Sequence, residues 1–216
     1  AMCYNFYANE RSVVKNPKGR IIEMEKAKKI SFTEERVKIA TYPEADREEL
    51  PMFAENRVHQ RTSGNPFPNK VVLEAQREVK TEREYTLLKL ENEFLEIAVL
   101  PDLGGKIWYA KNKKTGYCFI YKNHVVKPAL IGILGSWTSG GMEFNWPFHH
   151  RASTFMPVDY ADEEENGTIT IWLSEHDPME RMKGMVGICL REGECIFETK
   201  VKLDNLSDVR RPFLWW

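Results

Sequence analysis

The residues best equipped for chemistry lie together at 140–151, GGMEFNWPFHHR. This stretch supplies a carboxylate (Glu143), an amide (Asn145), an indole (Trp146), adjacent histidines (His149 and His150) and a guanidinium (Arg151). A histidine, with its ordinary pKa near 6.5, is the natural proton carrier at neutral pH. A carboxylate can accept hydroxyl hydrogen bonds or share the acid–base work. In an extended chain neighbouring side chains point to opposite faces, so His149 and His150 serve one ligand together only where the backbone turns. Pro147 lacks a ladder donor and makes such an irregularity reasonable there. Packing or hydrogen bonding is the competing role for each histidine.

Glu143 stands between Met142 and Phe144, which are expected to face a core and leave the carboxylate facing a cleft. Trp137 and Trp146 are set among Gly135, Gly140 and Gly141, with Asn145 and Arg151 nearby. A flat aromatic face beside planar hydrogen-bonding groups suits a sugar ring, which has apolar C–H faces and hydroxyl edges. Tryptophans also fill sandwich cores. That is the expectation for Trp172, Trp215 and Trp216, whereas for Trp137 and Trp146 core and cleft stay open.

Other chemistries fit less well. Glu143, His149, His150 and Asp159 have metal-ligating atoms, but their spacing follows no familiar metal motif, so no metal is expected. Glycosidases of the common type set two carboxylates across the scissile bond. Asp159, Glu175 and Asp177 are available partners for Glu143, at separations the sequence does not fix. Gly140–Gly141 belongs to no GxxxxGK[ST] motif and to no strand–loop–helix context, which excludes a nucleotide loop; no cofactor is expected.

The elements that must position these groups read as strands. ERVKIATYP alternates Val37, Ile39 and Thr41; EYTLLKLEN runs into FLEIAVLP; GGKIWYAKN and YCFIY follow turns at Asp102–Gly105 and Thr115–Gly116. TITIWLSE sets Ile169, Ile171 and Leu173 against Thr168, Thr170 and Trp172, and CIFETKVKLDN alternates likewise. This period of two is what a sheet with one wet face requires. The acidic run Asp162–Glu165 with Asn166–Gly167 reads as a hairpin loop. The expected fold is therefore all-β, an antiparallel β-sandwich over residues 33–216, preceded by a lysine-rich arm or short helix at 1–32, helix-like around Ile21 to Ile30. RRPFLWW ends on four apolar residues, so the sandwich is expected to be truncated at its C-terminus. Self-association or a missing C-terminal half would then cover Trp215 and Trp216.

Composition narrows the partners. Hydrophobic residues at 42% and charged residues at 29% support a packed core rather than disorder throughout. With 31 basic and 32 acidic residues the chain has no excess positive charge, which argues against nucleic acid. No apolar run approaches the roughly 20 residues that span a bilayer, so no membrane partner is expected. No signal-peptide pattern is visible, and Ala1 before Met2 reads as a cloning remnant. Four cysteines without a CxxC pair read as reduced thiols of a cytoplasmic protein.

The strings VLPDLGGKIWYAKNKKTGY, HVVKPALIGILGSWTSGGMEFNWPFHHRASTFMPVDY, WLSEHDPMERMKGMVGICL and RRPFLWW resemble a bacterial family of unassigned function. That family looks like part of the galactose-mutarotase-like superfamily, and many of its members continue into tetratricopeptide repeats. The resemblance implies that residues 33–216 are the N-terminal portion of a two-sheet supersandwich with a concave sugar-handling face. It also implies histidine and carboxylate groups for proton transfer at the anomeric centre, as in glycoside hydrolases or aldose epimerases. In that reading the partner is carbohydrate: a sugar stacks on Trp146 or Trp137, Arg151 and Asn145 hold hydroxyls, and Glu143 works with His149 or His150. The alternative is a non-catalytic glycan-binding or scaffold module.

Overall fold

The period-two texture is realised as fourteen strands among the described residues. The computed structural model describes residues 13–15, 21–23, 30–44, 78–130, 136–146, 156–177 and 181–216. Short β1 (Val13–Lys15) and β2 (Ile21–Glu23) precede the long β3 (Ser31–Thr41), β4 (Thr81–Glu91), β5 (Leu95–Leu100) and β6 (Lys106–Asn112). Four short strands follow: β7 (Cys118–Ile120), β8 (Val125–Val126), β9 (Pro128–Leu130) and β10 (Ser136–Thr138). A meander closes the chain with β11 (Asp159–Glu165), β12 (Thr168–Asp177), β13 (Met182–Arg191) and β14 (Phe197–Asn205). Among the described residues there is no α-helix, only a 3-10 turn at Pro101–Leu103. No helix there is long and apolar enough to cross a membrane.

The long strands build two sheets. One has the order β7-β6-β5-β4-β3-β8, antiparallel throughout except for the β3–β8 pair; the other is the antiparallel meander β11-β12-β13-β14. Alternation on facing strands joins them. Leu88, Leu90, Ile97, Val99 and Ile107 from the first sheet share one cluster with Ile169, Ile171, Leu173, Val186, Ile188 and Leu190 from the second. The protein is thus an antiparallel β-sandwich. The other face of the six-stranded sheet is buried as well, by Tyr85, Leu87, Ala98, Leu100, Trp108 and Tyr109. Trp108 and Tyr109 share that face because the β5–β6 register slips between Ala98 and Val99, pairing them with Tyr109 and Ile107 and leaving Trp108 as the extra bulge residue.

A buried amide ties the sheets at one end. Asn92 Nδ2 donates to the carbonyls of Arg191 and Glu194, both at 2.7 Å, while its Oδ1 accepts from the amides of Phe94 and Leu95. Such a group is tolerated inside because both ends are satisfied.

Four sequence expectations are corrected. Residues 21–23, expected in a short helix, pair antiparallel with 13–15 instead; a stretch this short has no amphipathic face of its own to hold a helix. Asp162–Glu165 lie in β11, and only Asn166 and Gly167 turn, both with positive φ (50° and 72°) as a two-residue hairpin requires. Trp172 is not a core residue: its neighbours Ile171 and Leu173 face inward, so it lies on the outer side of its sheet. Cys118 and Cys189 are free thiols, as expected, but Cys195 is disulfide-bonded.

The inner packing is tight where Trp146 meets β13. A methyl group on Gly184 would overlap the Trp146 indole, and the clash is with a rigid ring in the core. Gly184→Ala is therefore expected to destabilise the domain by about 1–3 kcal/mol. Urea denaturation with an unchanged midpoint would show that the indole is not seated there.

Candidate functional site

The 140–146 segment enters the sandwich as an edge extension of the six-stranded sheet. Ile107 and Met142 exchange both backbone bonds, at 2.9 and 2.8 Å, beside β6. Gly141 makes the approach possible, because a Cβ there would collide with the Ile107 carbonyl oxygen. Further along, Asn145 and Trp216 also exchange both backbone bonds, at 2.8 and 3.1 Å. Between these pairings the chain is extended, and alternation sorts its side chains. Phe144 and Trp146 enter the core, and Trp215 stacks on Phe144 with ring centroids 6.2 Å apart. Glu143 and Asn145 turn to the opposite side.

There the carboxylate is held at both oxygens. Trp137 Nε1 donates to Glu143 Oε2 at 2.9 Å, and Asn145 Nδ2 donates to Oε1 at 3.2 Å. A buried amine lies in the same neighbourhood. Lys106, 2% exposed, donates from Nζ to the carbonyls of Thr138 at 2.6 Å and Gly140 at 3.0 Å. Burial pulls its pKa down to about 8, against the opposing attraction of the Glu143 carboxylate. Beside it the hydroxyl of Thr138, also buried, finds no hydrogen-bond partner among the described residues. Such an orphan is a place for a water or a ligand hydroxyl.

The expected site residues therefore separate. Trp137, Glu143 and Asn145 come together, and Trp137 keeps partial exposure. Trp146, at 2% exposure, is seated in the core with its indole against Gly184, which withdraws its faces from a ligand. His149, His150 and Arg151 lie outside the described residues. Of the carboxylates weighed as partners for Glu143, Asp159 lies opposite Ser174 in the four-stranded sheet and Glu175 lies opposite Gly184. No group of three or more His, Cys, Asp and Glu among the described residues is placed to hold a metal.

Lys106 is the member that sequence reasoning passed over. Its signal was present: a lysine at the head of KIWYA, a run otherwise fit for burial on both faces. A charged residue in such a run needs partners, and those partners point to a constructed site.

The fold and this geometry together define an antiparallel β-sandwich domain with a braced carboxylate and a buried amine at one sheet edge. Residues 64–216 match the family described as "Domain of unknown function (DUF5107)", more than half of the chain, and the chain belongs to that family. Among solved structures it is similar to a TPR-domain containing protein from Parabacteroides distasonis ATCC 8503, with a TM-score of 0.69 and 20% identity. The match covers 80% of this chain and 29% of that one, so the chain spans less than a third of the length of that protein. At this identity the likeness is one of fold.

The buried amine has a measurable signature. Its folded pKa, about 8, lies below the unfolded value of 10.5. Between those values the unfolded chain binds the proton and the folded one does not, so stability rises with pH across that window. Below about pH 8 the folded state carries the cost of a buried charge. The wild type is expected to gain up to a few kcal/mol relative to Lys106→Met between pH 7.5 and pH 10.5. Parallel pH profiles for the two proteins would mean that the amine is not buried as described.

Proposed function

We propose that this domain handles carbohydrate at the Glu143 edge of the six-stranded sheet. The observation that supports this most is the Glu143 carboxylate, fixed by the Trp137 indole and the Asn145 amide and turned away from the inter-sheet core. A preset carboxylate with an aromatic plate beside it is the arrangement that takes a sugar hydroxyl and an apolar sugar face together. The resemblance to mutarotase-like sandwiches supports the same ligand class.

In this reading the ring stacks on Trp137, since Trp146 is committed to packing. Glu143 accepts a hydroxyl, Asn145 positions Glu143, and Arg151 holds a further hydroxyl. Proton transfer at the anomeric centre, of glycoside hydrolase or epimerase type, requires a second titrating group. His149 or His150 fills that role by residue type, and Lys106, with its pKa lowered toward neutrality, is a third candidate.

A second reading is favoured by a specific feature. Both Glu143 oxygens and two of the Lys106 donors are already engaged, which suits a rigid recognition surface as well as it suits catalysis. The domain would then be a non-catalytic glycan-binding or scaffold module. The similar P. distasonis protein carries a TPR domain, and repeats of that kind serve partner recruitment.

The test is an oligosaccharide-library screen of wild type, Glu143→Gln and His150→Ala, reading both affinity and release of reducing sugar. Glu143→Gln is expected to weaken binding about tenfold or more. Turnover that disappears in His150→Ala while affinity persists assigns catalysis, whereas binding without turnover in the wild type assigns recognition. Wild-type affinity in Glu143→Gln, or no sugar bound by the wild type, would overturn the proposal.

A further inference from the structure

The two edges of the four-stranded sheet differ in character. Among the described residues β11 and β14 are its outermost strands, each paired with one neighbour. An unpaired row of backbone groups invites another strand, and natural sheets protect such edges. Strand β11 is protected by charge, since Asp159, Asp162, Glu163, Glu164 and Glu165 would set carboxylate against carboxylate in a pairing with its own kind. Strand β14 lacks that protection. Its Phe197, Thr199, Val201 and Leu203 stand opposite Leu190, Ile188, Val186 and Gly184, so they share the face that forms the inter-sheet core. Yet Val201 and Leu203 are each 38% exposed, which means that the core stops short of this edge.

The other face of β14 carries Glu198, Lys200, Lys202 and Asp204, an acid at each end of a pair of lysines. That order selects the partner and its register. Two copies of the strand can lie antiparallel about a two-fold axis, the isologous arrangement of most dimers. With the axis at Val201, Glu198 meets Asp204 and Lys200 meets Lys202, like charge against like throughout. With the axis at Lys202, Lys200 meets Asp204, but Phe197 and Thr199 face the polar Ser207 and Asn205. With the axis at Lys200, Glu198 of each copy meets Lys202 of the other, while Phe197 meets Leu203 and Thr199 meets Val201 on the apolar face. Lys200 then lies opposite itself, and its Nζ is turned back over its own sheet to Thr170 Oγ1 at 3.4 Å. This register alone satisfies both faces.

We propose that β14 is a dimer interface, through which two copies of this chain pair antiparallel about a two-fold axis at Lys200. Their four-stranded sheets then join into one continuous sheet, and the exposed Val201 and Leu203 are covered by the Thr199 and Phe197 of the other copy. The interface is on the other sheet from Glu143 and stands whatever that edge binds. It places self-association at β14 rather than over Trp215, whose ring is already stacked on Phe144.

The experiment is sedimentation velocity of the full chain over a concentration series, with Glu198→Lys, Lys202→Glu and the double exchange alongside. The wild type is expected to pass from monomer to dimer as concentration rises. Either single exchange sets like charges together at two symmetric places and should weaken the dimer about tenfold or more. The double exchange restores both pairs and should recover the dimer, an outcome that a variant damaged in its fold would not give. Glu198 also pairs with Arg191 at 3.1 Å, but both side chains are about half exposed, so losing that pair costs the fold little. A wild type that stays monomeric up to about 1 mM would overturn the proposal and leave the edge to a different polypeptide. Oligomers that grow past the dimer would overturn it in favour of a head-to-tail contact. A dimer indifferent to the single exchanges, or not recovered by the double one, would overturn it equally.

Discussion

Two hydrogen bonds between Ile107 and Met142 decide what the 140–146 segment can do. Because side chains alternate along an extended chain, fixing one backbone pair fixes the face of every residue that follows. With Met142 locked to β6, Phe144 and Trp146 must enter the core, and Glu143 and Asn145 must leave it. Gly141 is the enabling residue, since no side chain fits between it and the Ile107 carbonyl. The second pairing, Asn145 with Trp216, holds the far end of the segment and lays Trp215 on Phe144. Shift that register by one and the carboxylate would be buried while an indole faced water.

Electrostatics then completes the edge. A lysine at 2% exposure is expensive unless it has partners; here two carbonyls accept from its Nζ, and the Glu143 carboxylate favours its charge from nearby. The carbonyls belong to Thr138 and Gly140, so the amine also braces the turn that leads from Trp137 to Glu143. Charge, turn and aromatic ring are thus one assembly. The buried hydroxyl of Thr138 lies within it.

Much of this was legible in the residues, and the failures have physical reasons. The strands from β3 to β7, β12 and β14 follow from alternation alone, and with them the sandwich. Strand β13 was not read, because MKGMVGICLR carries glycines where a sheet normally carries bulk; Gly184 and Gly187 are there to receive Trp146 and Trp172. The same alternation that placed Glu143 outward already placed Trp146 inward, and that of TITIWLSE already set Trp172 apart from Ile171 and Leu173. Assigning tryptophans by composition obscured both. Lys106 was missed because a lone lysine ordinarily reads as solvated, and only its buried neighbours reveal otherwise. The 21–23 strand was missed because so short a stretch carries no decisive period.

The tryptophans are sorted by burial, Trp146 in the core and Trp137 half-exposed beside Glu143, and the central proposal is that Trp137 stands at a sugar-handling edge. The six indole N–H signals of the labelled protein test this directly during titration with a glycan selected in the library screen. The Trp137 signal, hydrogen-bonded to Glu143, is predicted to move saturably while that of Trp146 stays fixed. Movement of Trp146 with Trp137 silent would contradict the account.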